Sequence, residues 1–404
     1  MNPRVYGAAH RLAELGAGSG ARVAIDSPEP LDWLRGADLL GAASLIVDPA
    51  WTESERAAVF ADVCPDVTVT GTPRPCPEPV ARQGDESSWF YLSTTSGSSG
   101  TPKVLVRTRE SWTLSFAALG RVEHPVLVPG KLSSSLFLFG ALHALWCGDE
   151  PVLRPRLRLA DARTARTVHL VPAMLHGLLA ELERHGGPCA LRTVVCGGAH
   201  LGAELRERFA AVLPDAELLE YYGAAEHSLI ALGVGELRPV PEAELDIRDG
   251  ELWVRSPLAC SGHLRSGRFH PAPEWSSVGD RVSIADGVLT VHGRGSAMLS
   301  TGGVLVPAEE VESVLRAVPG VDDALVIGTP HPALGTLVTA IVQAEQPPSV
   351  RELRAAVRSG LAPAKRPRRW LVTKSLPRTS SGKPARSLVT DRLAEGIFDG
   401  ETLR

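Results

Sequence analysis

No cysteine pair at short spacing occurs in this chain. Its six cysteines (Cys64, Cys76, Cys147, Cys189, Cys196 and Cys260) are scattered, without a C-x-x-C unit. That argues against a structural zinc site and against a disulfide framework. The twelve histidines include no H-x-x-x-H pair, so most read as surface or packing residues. Neither charge sign dominates: the formal net charge is −4, which gives no general attraction to nucleic acid or membrane. Long apolar runs are missing too. The longest, "LFLFGALHALWCG" from Leu136 to Gly148, is too short to span a bilayer. It carries His143 and reads as a buried helix. The opening stretch, "MNPRVYGAAHRLAEL", has no continuous apolar core behind its charges, so no secretory leader is expected. The resulting expectation is a cytoplasmic protein with no membrane and no nucleic-acid partner. Internal repeats and low-complexity tracts are absent as well.

What is present is ordinary globular composition, 44% apolar and 22% charged over 404 residues. That length exceeds one compact core and predicts two or more domains. "RVAID", "ASLIVDP", "SWFYLS", "HPVLVP", "TVHLVP", "LRTVVCGG" and "ELLEYYG" read as buried strands. Amphipathic helices separate several of them. In "LGAELRERFAAVLP", Leu201, Leu205, Phe209 and Val212 share one helical face. Strand–helix alternation predicts an α/β fold with largely parallel sheets. After residue 240 the pattern changes. "ELDIRDGELWVRSP" and "RVSIADGVLTVHG" are strand pairs around Asp-Gly turns, which predicts a small antiparallel β subdomain. The final hundred or so residues read as another unit. It has a helix in "PAEEVESVLRAV", with Pro307 near its start, and a Ser349–Glu352 capping box before Leu353 and Val357. The fold class expected is α/β: a large N-terminal domain over residues 1–295, then a small α+β C-terminal domain over residues 296–404.

One stretch sets the chemistry. "TTSGSSGTPK", Thr94 to Lys103, holds hydroxyls, glycines and a lysine and no bulky apolar residue. Its glycines let the backbone approach a ligand, and its amides and hydroxyls can donate to anionic oxygens. A flexible Ser/Gly surface loop has the same composition. The Walker A spacing fails, because Pro102 stands five residues after Gly97 and Val104 follows Lys103. G-x-G-x-x-G fails too, since Gly97 and Gly100 are three apart.

"TSGSSGTPK" (Thr95 to Lys103) resembles the phosphate-loop signature of the adenylate-forming superfamily: acyl-CoA synthetases, adenylation domains of peptide synthetases, and luciferases. Four further segments follow in that superfamily's order: "GGA" at Gly197 to Ala199, "YYGAAE" at Tyr221 to Glu226, "GDRV…HGRGSAMLSTGG" at Gly279 to Gly303, and "PRTSSGKPAR" at Pro377 to Arg386. The resemblance runs from about residue 20 to 390. The stretch before the phosphate loop is shorter than usual for the superfamily, which implies an N-terminally shortened large domain. Shortness and the "VHLVPAMLHGLL…LRTVVCGGA" run are similar to compact acyl-CoA ligases, including o-succinylbenzoate–CoA ligases.

The resemblance implies ATP-dependent activation of a carboxylic acid to an acyl-adenylate, with release of pyrophosphate. Transfer to a thiol follows, most often that of coenzyme A. An anion then meets a polyanion, so positive charge must offset their repulsion. By resemblance Lys383 supplies it, from a mobile C-terminal domain acting as a lid. Between Pro363 and Arg386 there are eight Lys or Arg and no acid, so a solvated basic face is the rival reading of that lysine. Glu226 matches the Mg²⁺ ligand. Thr95, Ser96, Gly97, Ser98, Ser99, Gly100, Thr101 and Lys103 would surround the phosphates, with Thr95 counted among the catalytic residues. Gly198, Ala199, Tyr222, Gly223, Ala225, Asp280 and Arg294 would complete the ATP site. Tyr222 would stack on the adenine, and Asp280 and Arg294 would meet the ribose. Val171, Met174, Gly197, Gly198 and His200 would line the acyl pocket. Gly302 and Gly303 lie where a pantetheine arm passes, and Ser296 stands at the hinge.

Departures accompany the matches. Ala225 stands where the superfamily has Thr or Ser, and Ser296 where it has Asp or Lys. "VPGKLSSSLFLFG" offers Lys131 and Ser133 to Ser135 where a histidine often closes the acyl pocket. These residues are expected to read a polar group on the acid. Two other functions stay open. A stand-alone adenylation enzyme could load the phosphopantetheine of an acyl carrier protein, for which the basic stretch Lys365 to Arg369 would suit an acidic carrier. A degenerate nucleotide- or acyl-binding protein is the other.

Overall fold

The computed structural model describes residues 2–95, 103–199, 201–294, 298–301, 304–331, 335–361, 363–379 and 382–403. Strands Val126–Pro129 and Thr167–Leu170 are buried at every position. Such burial fits a parallel sheet covered on both faces. They belong to a seven-stranded sheet ordered Arg238–Pro239, Ser228–Val234, Glu217–Ala224, Thr193–Gly197, Thr167–Leu170, Val126–Pro129, Val152–Arg154. From Glu217–Ala224 to Val152–Arg154 every pairing is parallel, and the other two strands add antiparallel.

A second seven-stranded sheet is ordered Arg268–Pro271, Gly262–Arg265, Lys103–Thr108, Trp89–Thr95, Ala43–Ile46, Arg22–Asp26, Val67–Thr70. Its last four strands are parallel. The Arg268–Pro271 and Gly262–Arg265 hairpin was not anticipated. Ser266 and Gly267, both at positive φ (48° and 74°), make its two-residue turn, and that Ser-Gly pair is the signal that could have found it.

Helices Arg109–Leu119 and Ser135–Cys147 lie between the sheets. One apolar cluster joins Ile25 and Tyr91 of one sheet, Trp112, Phe116, Phe137 and Leu138 of the helices, and Val126 and Val128 of the other sheet. The run from Leu136 is therefore the buried helix expected, ending at Gly148 with φ 93°. Strands Glu244–Arg248, Glu251–Arg255, Ser276–Ala285 and Val288–Arg294 form the expected small antiparallel sheet. Asp249 and Asp286 sit at positive φ in its turns.

The C-terminal domain is smaller and separate. Strands Asp323–His331, Gly335–Gln343, Arg369–Thr373 and Glu401–Thr402 make its main sheet, covered by helices Ala308–Arg316 and Val350–Gly360. Its core already includes Leu299, with Val306, Val311, Leu315 and Leu353. The boundary expected at 295/296 lies outside the described residues. The Ser349–Glu352 capping box is formed in both directions.

Candidate active site

Thr95 and Lys103 face each other at the open end of the antiparallel pair Trp89–Thr95 and Lys103–Thr108. The loop between them thus joins two strands, whereas a Walker A loop joins a strand to a helix. Ser96, Gly97, Ser98, Ser99, Gly100 and Thr101 lie outside the described residues. Lys103 is exposed and Thr95 half-buried.

The strand Thr193–Gly197 ends in the middle of the parallel sheet, at the carboxyl edge where α/β sheets bind ligands. Gly197 packs beneath the Tyr221 ring, which a methyl group there would meet at 2.5 Å. Gly198 has φ +85°, and a methyl on it would sit 3.2 Å from Leu136 Cδ1, 3.7 Å from Val171 Cγ1 and 3.8 Å from Lys383 Cε. A lysine of the C-terminal domain is thereby brought to the edge of the large domain's sheet. Val171, Ala199 and Gly202 on one side, and Val318, Val321, Gly382 and Lys383 on the other, line a cavity of about 390 Å³ between the domains. Met174 is not among the residues lining it and packs into the large domain's apolar clusters.

The Lys383 loop is tight. Thr379 N donates to the Lys383 carbonyl at 2.8 Å, and Gly382 N to Thr379 O at 2.9 Å. Arg378 Nη1 donates to the Gly382 carbonyl at 3.0 Å. Gly382 adopts φ +81°, which only glycine takes readily. The neighbouring cations are neutralised within the domain: Arg378 pairs with Asp323 at 2.9 Å and Arg386 with Glu312 at 2.7 Å. Lys365 pairs with Glu310 at 2.6 Å, and Arg366 donates to the Leu361 and Arg358 carbonyls. Of the Lys365-to-Arg369 stretch, Arg368 and Arg369 remain exposed.

On the facing side, strand Glu217–Ala224 turns back into Ser228–Val234, with Ala225, Glu226 and His227 at the turn. Gly223 abuts the Ser228 carbonyl so closely that a methyl there would lie 1.9 Å from it. Tyr222 Oη donates to Asp280 Oδ2 at 2.5 Å. Asp280 is buried and faces Arg294 across its hairpin. Tyr222, expected beside an adenine, thus also holds the carboxylate expected on the ribose. Replacing Tyr222 with Phe removes this donor. The KM for ATP is expected to rise by about three- to tenfold, the worth of one hydrogen bond, with KM for the acid unchanged in initial-rate kinetics.

Glu226 is half-buried, and no ion pair of its carboxylate occurs among the described residues. Its carbonyl accepts from Cys260 N at 2.7 Å, and Ser261 N donates to Val106 O at 2.9 Å. The turn carrying Glu226 is therefore tied to the strand that leaves the phosphate loop. A half-buried carboxylate at this place has the hard oxygen chemistry that a Mg²⁺ ion takes. Beside it His227 is buried, with Nε2 2.8 Å from Ser276 Oγ. Burial pushes its imidazole below the ordinary range.

Sequence reasoning missed Arg107. It is 5% exposed and its guanidinium is pushed down to about 10 by burial. Its only signal was a cation amid the apolar strand "KVLVRT". Lys131 lies 3.3 Å from the buried carboxylate of Asp48, so its ammonium already has an acidic neighbour. His200, Ser296, Gly302 and Gly303 lie outside the described residues. The fold also gathers His10, Cys76 and Glu78 within 4.8 Å of one another, from positions no metal-ligand spacing connects.

Residues 73–264 match the family described as AMP-binding enzyme, and residues 310–383 match the AMP-binding enzyme C-terminal domain. The chain is 32% identical over 340 residues to the "uncharacterized acyl–CoA ligase YhfT" of Bacillus subtilis (strain 168), covering 76% of this chain and 69% of that protein. This chain belongs to the AMP-binding enzymes. This AMP-binding enzyme is also 29% identical over 358 residues to pyochelin synthase PchD of Pseudomonas aeruginosa, covering 78% of this chain and 65% of that one. ATP-bound MatB from Rhodopseudomonas palustris shares the fold, at 20% identity and TM-score 0.83, covering 98% of this chain and 93% of that one. Superfamily and fold class are as the motifs implied. It is an AMP-forming acid–thiol ligase, which uses ATP to adenylate a small carboxylic acid. No helix among the described residues is long and apolar enough to cross a membrane.

Proposed function

We propose that this chain joins a carboxylic acid to coenzyme A, with the residues of the cleft between the domains in specific roles. The observation that carries the reading is Lys383 beside Gly198, on the cavity that the two domains share. A carboxylate oxygen attacks the α-phosphorus of ATP, and the bond to pyrophosphate breaks. Lys383 lies against both anions and offsets their repulsion. Thr95, Lys103 and the loop between them hold the outgoing phosphates. Glu226 would hold Mg²⁺, which supplies charge neutralisation on the phosphates. Asp280, with Tyr222 and Arg294, takes the ribose and adenine. Val171, Ala199 and Gly198 face the acyl group. The C-terminal domain then turns about Ser296 and brings Gly302 and Gly303 to the arm of the thiol. The thiol sulfur attacks the acyl carbon, its proton leaves, and the bond to AMP breaks.

A carrier protein is the second reading for the acceptor. It is favoured by the exposed Arg368 and Arg369 and by the likeness to a pyochelin synthase. Coenzyme A is preferred because the relative at 32% identity is named an acyl-CoA ligase. The test is ATP–pyrophosphate exchange over a panel of carboxylic acids, followed by AMP release with coenzyme A or with purified carrier proteins. Exchange with one acid class and AMP release on adding coenzyme A are expected. Release with a carrier alone would select the second reading. Exchange with no acid, while ATP still binds, would leave a nucleotide-binding protein, for which Ala225 and Ser296 would then account.

A further inference from the structure

Arg107 is a buried cation that the reaction described above does not use. It lies on the strand Lys103–Thr108, four ladder pairs behind the Thr95 and Lys103 mouth of the phosphate loop, and pairs across to Tyr91. No carboxylate lies within ion-pair reach of it among the described residues. Its Nε donates to Ser111 Oγ at 3.0 Å, and Nη2 reaches the Ser111 carbonyl at 3.1 Å and Ser115 Oγ at 3.4 Å. The guanidinium stands 5.3 Å from the centre of the Trp112 ring. Burying a guanidinium against an indole and two serines, without an acid, costs stability that an apolar side chain of like size would not.

The contacts lead to the turn that carries Glu226. Ser115 Oγ, which Arg107 reaches, is 2.8 Å from Ser228 Oγ. Ser228 has φ 60°, an uncommon conformation for a residue other than glycine. Such backbone persists where neighbouring groups fix it, and here the side chain is fixed through Ser115. Two residues earlier stands Glu226, whose carbonyl is bound to Cys260 N. Cys260 and His227 each feel the fields of both Arg107 and Glu226. The cation and the carboxylate thus have two neighbours in common.

We propose that Arg107 is a positioning residue, which through Ser115 and Ser228 fixes the turn so that the Glu226 carboxylate is presented to the divalent cation on the nucleotide. This rests on the reading of Glu226 as the metal ligand. Groups that orient a metal ligand typically govern metal affinity by tenfold or more, although they never touch the ion. Arg107 does so at the expense of stability, as polar groups buried at functional sites commonly do.

The test uses the full chain with Arg107→Met, Ser115→Ala and Glu226→Gln. Two quantities are read: the Mg²⁺ concentration for half-maximal pyrophosphate exchange, and the affinity for ATP by calorimetry with and without Mg²⁺. For Arg107→Met the half-maximal Mg²⁺ is expected to rise by about tenfold. The Mg²⁺-dependent gain in ATP affinity should shrink, while ATP affinity in chelator and KM for the acid stay the same. The melting temperature should hold or rise, which a merely structural arginine would not allow. Ser115→Ala is expected to show the same shift at about half that size on a logarithmic scale. It also carries the test should Arg107→Met fail to fold. An unaltered Mg²⁺ response in folded Arg107→Met, or in Ser115→Ala, overturns the proposal. Should Glu226→Gln shift the Mg²⁺ response while those two do not, the positioning role alone fails. Should Glu226→Gln leave it intact, the metal-ligand reading itself fails.

Discussion

Lys383→Ala is expected to lower acid-dependent ATP–pyrophosphate exchange by about a hundred- to a thousandfold, the loss seen when one preorganised group stabilising transition-state charge is removed. The magnitude follows from the reactants. Two unit charges 4 Å apart repel by about 4 kcal/mol at the effective dielectric of a protein surface. Only a positive charge at the meeting point offsets that. Among the described residues nothing nearby can replace Lys383. Arg378 is held by Asp323 and Arg386 by Glu312, both buried carboxylates within the C-terminal domain. The loop itself should survive, because the bond from Thr379 N is accepted by the backbone carbonyl of residue 383, which the substitution keeps. An unchanged melting temperature is therefore part of the expected result. The second half-reaction supplies the control. Thiol attack on a preformed acyl-adenylate meets a neutral carbonyl, so its rate should fall by far less than the exchange. Equal loss in both halves would mean that Lys383 supports the domain rather than the phosphoryl step. Lys383→Arg would recover little, since a planar fork cannot occupy the place of a compact ammonium.

The legible parts of this molecule were those written in local pattern. The strands "RVAID" and "TVHLVP" and the Asp-Gly hairpins depend on apolar periodicity and turn chemistry, and each is formed where that pattern put it. The fold also brings Gly198 and Lys383 together, although 185 positions of sequence separate them and two domains must dock to join them. What local pattern could not carry was pairing at a distance. The eight cations between Pro363 and Arg386 left a basic face as the rival reading of Lys383, because no acid stands among them. Three of them are paired with Glu310, Glu312 and Asp323, which the fold brings from other elements. Arg107 was hidden for the converse reason. A charge in a strand is expected to face solvent, and its burial between the sheets depends on how Arg109–Leu119 packs. Tyr222 on Asp280 and the cavity between the domains likewise depend on packing of separate units, for which the sequence has no periodic signal.

Ala225→Thr is expected to accelerate adenylation by about tenfold to a hundredfold. Ala225 begins the turn between strands Glu217–Ala224 and Ser228–Val234, immediately before Glu226, and is half-buried. A hydroxyl here would donate to a phosphate oxygen, and a hydrogen bond to a charged group is worth about 1.5–3 kcal/mol. Each 1.4 kcal/mol or so is a factor of ten in rate. Ala225→Ser carries the hydroxyl without the methyl, and Ala225→Val carries the branched bulk without the hydroxyl. If hydrogen bonding is the cause, Thr and Ser should both raise kcat for pyrophosphate exchange and Val should not. Equal effects of Thr and Val would assign any gain to packing of the turn. No gain from either hydroxyl would mean that the phosphate is already satisfied by a neighbouring donor, and that Ala225 limits nothing. The comparison also bears on the degenerate alternative. A chain whose machinery is otherwise in place needs one oxygen atom to speed up, whereas a chain that has lost the reaction stays silent with that hydroxyl supplied.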